Sequence, residues 1–240
     1  MKNVTLLALD TATEACSVAL LRGGEKTHLA QFAQREHTKH ILPMVDEILA
    51  QAGITLRQVD ALVFGRGPGS FTGVRIGAGI AQGLGFGAEL PVIPVSNLAA
   101  MAQAAYAKYQ AENVLTAIDA RMSEVYFAQW QAQKVRSDFG AFLDWQPMIA
   151  EQVCSPSKAI EQVAQQHHEN TVLAGTGWAA YPELNEANLG KATEITLPSA
   201  LYMLDLALPK WFAGETISSL EIEPIYLRNE VTWKKLPGRE

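Results

Sequence analysis

Residues 65–77 contain five glycines, one serine and two arginines, and they are the part of the chain with the clearest potential for chemistry. They follow an apolar stretch at residues 61–64, which predicts a buried strand, and they lead into a stretch of helical length at residues 72–87. A glycine-rich turn between a strand and a helix can hold a phosphate, because free backbone N–H groups there point at an anion. Such a turn can equally allow two backbones to pack closely.

Known glycine motifs fit this run poorly. A Walker loop needs a lysine and a Ser/Thr after its last glycine, and neither follows Gly77. A nucleophile elbow needs glycines two residues on either side of its serine, but Ser70 has Pro68 and Thr72 there. The dinucleotide fingerprint is matched only in part. The sequence therefore favours a tight turn over a phosphate cradle.

Two aspartates, Asp10 and Asp119, each end an apolar strand pattern. An offset of 109 residues (119 − 10) aligns residues 6–19 with residues 115–128 without a gap, and a second strand pattern follows each aspartate. One strand-end aspartate is typical of a simple turn, but a matched pair predicts a duplicated unit. We expect an α/β fold of two actin/Hsp70/sugar-kinase-like (ASKHA) lobes, each a mixed sheet with flanking helices. In such a fold the two hairpins hold ATP phosphates and the aspartates lie near Mg²⁺.

Hydrophobic periodicity predicts the elements that position these residues. Strands are expected at residues 6–10, 15–21, 27–32, 61–64, 91–95, 115–119, 123–130 and 171–174, and helices at 37–53, 72–87, 97–109, 157–166 and 199–212. The expected division is residues 1–100 and 101–240, with the last helix or tail returning to the first lobe.

Composition narrows the class of protein. The 240 residues are 48% hydrophobic and 18% charged, as in soluble globular proteins. The net charge of −6 argues against a strong stand-alone nucleic-acid binder, which needs clustered Lys and Arg. The start of the chain lacks the pattern of a signal peptide, and the most apolar stretch, residues 76–95, includes Gln82, Glu89 and two prolines. Cys16 and Cys154 have no metal or redox spacing, so a cytoplasmic protein is expected.

Six glycines lie between residues 73 and 87, at positions 73, 77, 79, 83, 85 and 87. In a helix each costs about 1 kcal/mol relative to alanine, so close packing must offset a total of roughly 5 kcal/mol. Helical spacing places Gly73 and Gly77 on one face and Gly79, Gly83 and Gly87 on another. We expect one face to pack on the protein's own sheet and the other on a neighbouring helix of this chain or of a partner.

His37 and His40 are spaced as a metal pair, but no third ligand has an obvious spacing, so no metal site is predicted. Packing or an interface explains both histidines better, because they flank the apolar face of a predicted helix. A metallopeptidase is accordingly not expected.

Four segments together resemble the TsaB (YeaZ) family: residues 9–13, 37–44, 65–77 and 224–228. The resemblance covers essentially the whole chain and is most specific in the glycine run. It implies a non-catalytic scaffold subunit of the complex that forms N6-threonylcarbamoyladenosine at position 37 of tRNAs. The implied partners are TsaD, the catalytic paralogue, which forms a heterodimer with this chain, and the TsaE ATPase. Contact with tRNA is implied only through the complex. A homodimer of the isolated chain is also implied.

This sequence differs from the catalytic paralogue TsaD at positions that bind metal and nucleotide there. Its two metal-binding histidines fall on Asn97 and Met101, and its second-hairpin Gly-Gly is replaced by Ala120 and Arg121. No catalytic residue is therefore assigned and no cofactor is required, with weak binding of ATP or ADP with Mg²⁺ left open. The nucleotide-binding candidates are Asp10, Thr11, Thr13, Asp119, Gly175 and Gly177.

The resemblance also implies that helices of the first lobe pair with TsaD. The predicted interface residues are His37, His40, Ile41, Met44, Val45, Ile48, Gly73, Arg75, Ile76, Gly79, Ile80 and Gly83. The alternative hypothesis is an independent ATP-binding enzyme of the ASKHA class, which rests on the nucleotide candidates above.

Overall fold

The computed structural model describes residues 4–137, 140–164 and 170–228. Within these ranges the chain forms two five-stranded sheets and seven α-helices. The strands are β1 (Thr5–Asp10), β2 (Ala15–Arg22), β3 (Glu25–Phe32), β4 (Ala61–Gly65), β5 (Val92–Val95), β6 (Asn113–Arg121), β7 (Glu124–Ser137), β8 (Gly140–Cys154), β9 (Thr171–Ala174) and β10 (Lys191–Ala192). The helices are α1 (His37–Gln51), α2 (Phe71–Ala88), α3 (Asn97–Tyr109), α4 (Pro156–Ala164), α5 (Gly177–Ala180), α6 (Pro182–Glu186) and α7 (Ala200–Ala213).

The two sheets share one plan. Their orders are β3-β2-β1-β4-β5 and, read in the same sense, β8-β7-β6-β9-β10. In each sheet the first strand is antiparallel to the second and parallel to the fourth. Asp10 pairs with Ser17 and Asp119 pairs with Val125, so both aspartates stand where the first hairpin of a lobe turns. The predicted duplicated ASKHA-like fold is confirmed.

Successive side chains of a strand point to opposite faces, so each sheet has two faces to cover. Helices α3 and α7 lie between the two sheets and cover one face of each. Leu6 of β1 and Val114 of β6 belong to one continuous core with Leu98 of α3 and Met203 of α7. The other face of the first sheet packs on α1 and α2, and the other face of the second packs on α4, α5 and α6. The molecule is therefore layered α/β/α/β/α.

Helix α7 covers the first sheet although it follows the second sheet in the chain. It packs on β1, β2, β4 and β5, and the Ala200 N–H donates to Ser17 Oγ at 2.9 Å. Beyond it, Ile217 forms an antiparallel bridge with Val92 at the edge of β5. The predicted boundary near residue 100 falls inside α3, which lies between the sheets.

The predicted helix at residues 97–109 matches α3, and the glycine-rich helix is confirmed as α2. Strand β8 was not predicted. It is an edge strand of 15 residues, with mostly exposed or half-exposed side chains. In the described part of the chain, no helix combines the length and the apolar character needed to span a bilayer.

Candidate functional site

The end of β1 carries a buried acid. Asp10 is 1% exposed, and its Oδ1 accepts hydrogen bonds from Asn97 Nδ2 at 2.7 Å and from the Ala12 N–H at 3.4 Å. Its Oδ2 is buried and has no partner among the described residues. Burial raises the pKa of Asp10 to about 6, against the smaller opposing effect of its hydrogen bonds from Asn97 and the 11–12 backbone.

Asn97 joins this acid to the glycine turn. Its Oδ1 accepts from the Gly67 N–H at 2.8 Å while its Nδ2 donates to Asp10. Gly65 makes this approach possible, since a Cβ there would overlap Asp10 Oδ1. Met101, the other residue that the family resemblance places at a histidine of the paralogue, is fully buried in the shared core. In residues 4–137, 140–164 and 170–228 no three His, Cys, Asp or Glu side chains are grouped to hold a metal ion.

The first turn of α2 packs on the first hairpin. Thr11 Oγ1 donates to the Gly73 carbonyl at 2.7 Å. A Cβ on Gly73 would overlap the Thr11 carbonyl, and one on Gly77 would come within 2.8 Å of Thr11 Oγ1. Thr13 is also buried, and its Oγ1 has no partner in the described part of the chain. The glycines at 73 and 77 therefore serve close packing within the lobe.

The second hairpin carries a polar cluster around Asp119. Its Oδ1 accepts from the Tyr181 hydroxyl and from the Arg121 N–H, both at 2.8 Å. Burial, followed by the hydrogen bond to Asp119, raises the pKa of Tyr181 to about 12. The Arg121 guanidinium lies 3.0 Å from Asp119 Oδ2 and 3.8 Å from Glu14 Oε1 in the first hairpin. Arg121 thus spans the space between the two hairpin turns.

The late glycines pack against β6. Gly175 has a φ of +121°, and a Cβ there would overlap the Ala117 carbonyl, so glycine is required. A Cβ on Gly177 would lie 3.0 Å from the Ala117 and Val125 side chains. The nucleotide candidates therefore form two groups: Asp10, Thr11 and Thr13 in the first lobe, and Asp119, Gly175 and Gly177 in the second. Arg121 and Glu14 connect the two groups.

On α1 most of the predicted interface residues lie in the core. Ile41, Met44, Val45 and Ile48 are no more than 6% exposed and pack against the first sheet. His37 is also buried, and its Nε2–H donates to the Thr13 carbonyl at 2.6 Å. These five residues are therefore corrected from interface to core.

The exposed side of α1 offers other contacts. His40 is half-buried and lies 3.6 Å from Glu36, and Leu42 is 44% exposed. Any partner contact from α1 must come from side chains on this outer side.

Helix α2 has an inner and an outer glycine face, as predicted. We call Gly79, Gly83 and Gly87 the glycine face; a Cβ on any of them would meet no atom of the described residues within 4 Å. Ile76 and Ile80 are half-buried beside it. Gly73, named as an interface residue, belongs instead to the inner side, against Thr11.

Aromatic residues lie at both ends of the glycine face. Phe71 is 54% exposed at its start and Phe86 66% exposed at its end. The Arg75 guanidinium lies 3.6 Å from the centre of the Phe71 ring, and its Nε donates to the Tyr226 hydroxyl at 2.8 Å. The outer surface of α2 thus combines backbone without side chains, at the glycine face, with the exposed aromatic rings of Phe71 and Phe86.

The tail at residues 223–228 contacts both lobes, whereas the sequence led us to expect only that the last helix or tail returns to the first lobe. The Ile225 N–H donates to the Arg66 carbonyl in the glycine turn at 2.9 Å. Arg228 donates to Glu124 Oε2 at 2.5 Å and to the Ala120 carbonyl at 3.2 Å, both in the second hairpin. No sequence pattern in this short segment predicted its contact with the second hairpin.

Two equivalent lobes with an acid at the first hairpin of each define an ASKHA-type protein, and comparisons with known proteins specify the family. A family model described as TsaD, tRNA N6-adenosine threonylcarbamoyltransferase, matches residues 29–215. The tRNA threonylcarbamoyladenosine biosynthesis protein TsaB of Haemophilus influenzae is 68% identical over the full length of both chains. The Escherichia coli protein of the same name is 49% identical and covers 98% of this chain and 99% of its own.

A solved structure agrees with the fold. YeaZ from Pseudomonas aeruginosa superposes with a TM-score of 0.78 at 39% identity, covering 92% of this chain and 100% of its own. The chain belongs to the TsaB (YeaZ) family, within the wider group that the TsaD model describes, and it is a protein of threonylcarbamoyladenosine biosynthesis on tRNA.

Proposed function

We propose that this chain is a non-catalytic scaffold subunit that binds the catalytic paralogue TsaD and supports it in the complex that forms N6-threonylcarbamoyladenosine at position 37 of tRNAs. TsaE is a further partner, and tRNA is met through the assembled complex. The net charge of −6 supports this indirect contact with RNA, because a direct binder needs clustered basic side chains.

The glycine face of α2 carries the proposal. Each of its three glycines costs about 1 kcal/mol in a helix relative to alanine, and none packs against a described residue of the chain. Gly73 and Gly77, by contrast, lie against Thr11 and cannot hold a Cβ without displacement. A bare helix surface lets a second helix approach closely, and Phe71 and Phe86 add apolar area at its ends. The expected occupant is a helix of TsaD.

The acid site supports a role without catalysis. Asn97 occupies the position of a metal-binding histidine of the paralogue, and its amide is used to connect Asp10 with the glycine turn. Met101, at the other position, is a fully buried apolar side chain. Asn97 therefore has a structural role at the end of β1, and Met101 has one in the core.

The same face suits self-association. If TsaD covers the glycine face in the complex, that face is uncovered in the isolated chain. Two copies of the chain can then cover it by pairing α2 with α2. We therefore propose a homodimer of the isolated chain that TsaD replaces.

The experiment is a co-purification of tagged TsaD with this chain at micromolar concentration. Gly83→Leu places a large side chain on the glycine face, and we expect at least a tenfold loss of affinity. Lys158→Leu adds the same side chain at an exposed position of α4 on the second lobe, and it serves as the matched control. Light scattering with and without TsaD then follows the exchange of homodimer for heterodimer. Full binding by the Gly83→Leu protein would refute this assignment of the face, and no complex with the unaltered chain would refute the proposed function.

A further inference from the structure

A cavity of about 460 Å³ lies between the lobes, at the C-terminal end of α7. Strands β7 and β8 form one wall, and α7 and the start of α3 form the other. It contains no residue of the glycine face, and its lining residues Arg66 and Ser96 adjoin the glycine turn and Asn97. Its volume is within the usual range for small-molecule sites.

Four aromatic side chains line the apolar part of the cavity. The Phe142 and Phe212 ring centres are 5.9 Å apart, so the two rings join β8 to α7 at its edge. Trp130 and Trp145 are buried, and their indole N–H groups already donate to Thr116 and Gln103. These indoles therefore offer the cavity apolar surface suited to a flat organic group.

The polar end of the cavity contains Arg66. Its Nη2 donates to Glu151 Oε2 at 2.5 Å, and the Ser96 hydroxyl donates to the other oxygen of the same carboxylate. Its Nη1 is shielded from solvent and has no acceptor among the described residues. Glu151 is thus shared between two donors, and one guanidinium NH₂ group has no partner among the described residues.

Lys210 is the second cation at this end. Its Nζ donates to the Pro94 carbonyl at 3.2 Å, and within the described ranges no carboxylate lies at ion-pair distance from it. Burial, followed by the charge of Arg66, lowers the pKa of Lys210. Glu215, Asp144 and Glu151 act in the opposite direction. Glu215 and Asp144 are exposed, so solvent screens their charge.

We infer that this cavity binds a small monocarboxylic acid with a flat aromatic body. The carboxylate lies at Lys210, beside Arg66, and the ring lies among Phe142, Phe212 and the two indoles. A single negative charge fits best, because Lys210 is the cation at this end without a carboxylate at ion-pair distance in the described ranges, whereas Arg66 is paired with Glu151. The mostly aromatic wall favours a ring over a flexible polar ligand.

The test uses 1-naphthaleneacetate as the probe and the uncharged 1-naphthaleneacetamide as its matched control, by titration calorimetry on the full chain. We expect the acid to bind with a Kd below about 1 mM, as ligand efficiency allows for a molecule of this size, and the amide at least tenfold more weakly. Lys210→Met keeps the apolar stem and should weaken the acid at least tenfold while leaving the amide unchanged. Lys134→Met, at an exposed site on β7, should change neither affinity.

Indole N–H resonances locate the bound probe. Those of Trp130 and Trp145 should shift on titration with the acid, and Phe142→Ala should reduce both the shifts and the affinity. Thermal melting shows whether each variant is folded. Equal affinity for acid and amide, normal affinity in a folded Lys210→Met protein, or shifts confined to other tryptophans would each overturn the inference.

Discussion

The side-chain amide of Asn97 donates to the carboxylate of Asp10 at 2.7 Å, which connects the first residue of α3 to the last residue of β1. The other carboxylate oxygen, Asp10 Oδ2, is buried and has no hydrogen-bond partner in the described part of the chain. The ionised form of this acid is therefore poorly stabilised, which is reflected in its raised pKa.

Asp10→Asn should stabilise the protein at neutral pH. The pKa of Asp10 rises from 3.8 to about 6 on folding, so ionised Asp10 opposes folding by about 3 kcal/mol above pH 6. Because the folded pKa is the higher one, this cost disappears as the pH falls from about 6 to below 4. Urea unfolding at pH 7.5, 6 and 5 measures the difference between the two proteins, which should shrink toward low pH. A difference that stays constant with pH would contradict the prediction.

Gly83→Ala should separate folding from partner binding. Alanine is the better helix former, and its Cβ at this position meets no atom in the described part of the chain, so the free energy of unfolding should rise by up to about 1 kcal/mol. The same methyl group widens the glycine face, so affinity for TsaD should fall. Chemical denaturation and co-purification give the two values. A loss of both stability and affinity would show that Gly83 is instead needed for packing within the chain.

Gly73→Ala should have the opposite effect on stability. Its Cβ would overlap the Thr11 carbonyl, and backbone there cannot move without disturbing the first hairpin. We expect a loss of about 1–3 kcal/mol, the usual cost of overpacking, and a melting temperature lower by about 2–4 °C per kcal/mol. Gly79→Ala is the matched control on the same helix and should be neutral or stabilising.

Arg228→Met should release the tail from the second hairpin. It removes the charge-assisted bonds to Glu124 and the bond to the Ala120 carbonyl, at an expected cost of about 1–3 kcal/mol. Faster amide hydrogen exchange at residues 225–227 is the direct measurement. The exposed Arg136→Met should leave these rates unchanged, and unchanged rates in Arg228→Met would mean that other contacts hold the tail.

Nucleotide binding is expected to be weak. Thr11 is engaged by Gly73, the glycines at 175 and 177 pack on β6, and Arg121 lies between the hairpins. Calorimetry with ATP and Mg²⁺ should give a Kd weaker than about 100 µM, if heat is measurable at all. Tight binding that is lost in Asp10→Ala would favour the independent ATP-binding enzyme.

The sequence predicted much of the fold because its signals are local. The two aspartate-ended strands and the apolar faces of the helices were read from periodicity, and helical spacing separated the inner Gly73 and Gly77 from the outer Gly79 and Gly83. Strand β8 was not predicted, because an edge strand with mixed exposure lacks a regular alternation of apolar and polar residues.

The site was harder to predict because it depends on contacts between distant residues. The bond from Asn97 to Asp10 spans 87 positions, and the bonds from Arg228 to Glu124 span 104. Periodicity correctly marked the apolar face of α1 but could not tell whether the sheet or a partner covers Ile41 and Ile48. In the structure the sheet covers them.

The position of α7 has a consequence during synthesis. The first sheet is complete in the chain at residue 95, yet one of its faces stays bare until residues 200–213 leave the ribosome. At translation rates of about 5–20 residues per second, this takes roughly 5–25 seconds. During that interval the nascent first half exposes the apolar side chains of that sheet face, so we expect it to need chaperones, and a chain truncated before α7 should aggregate.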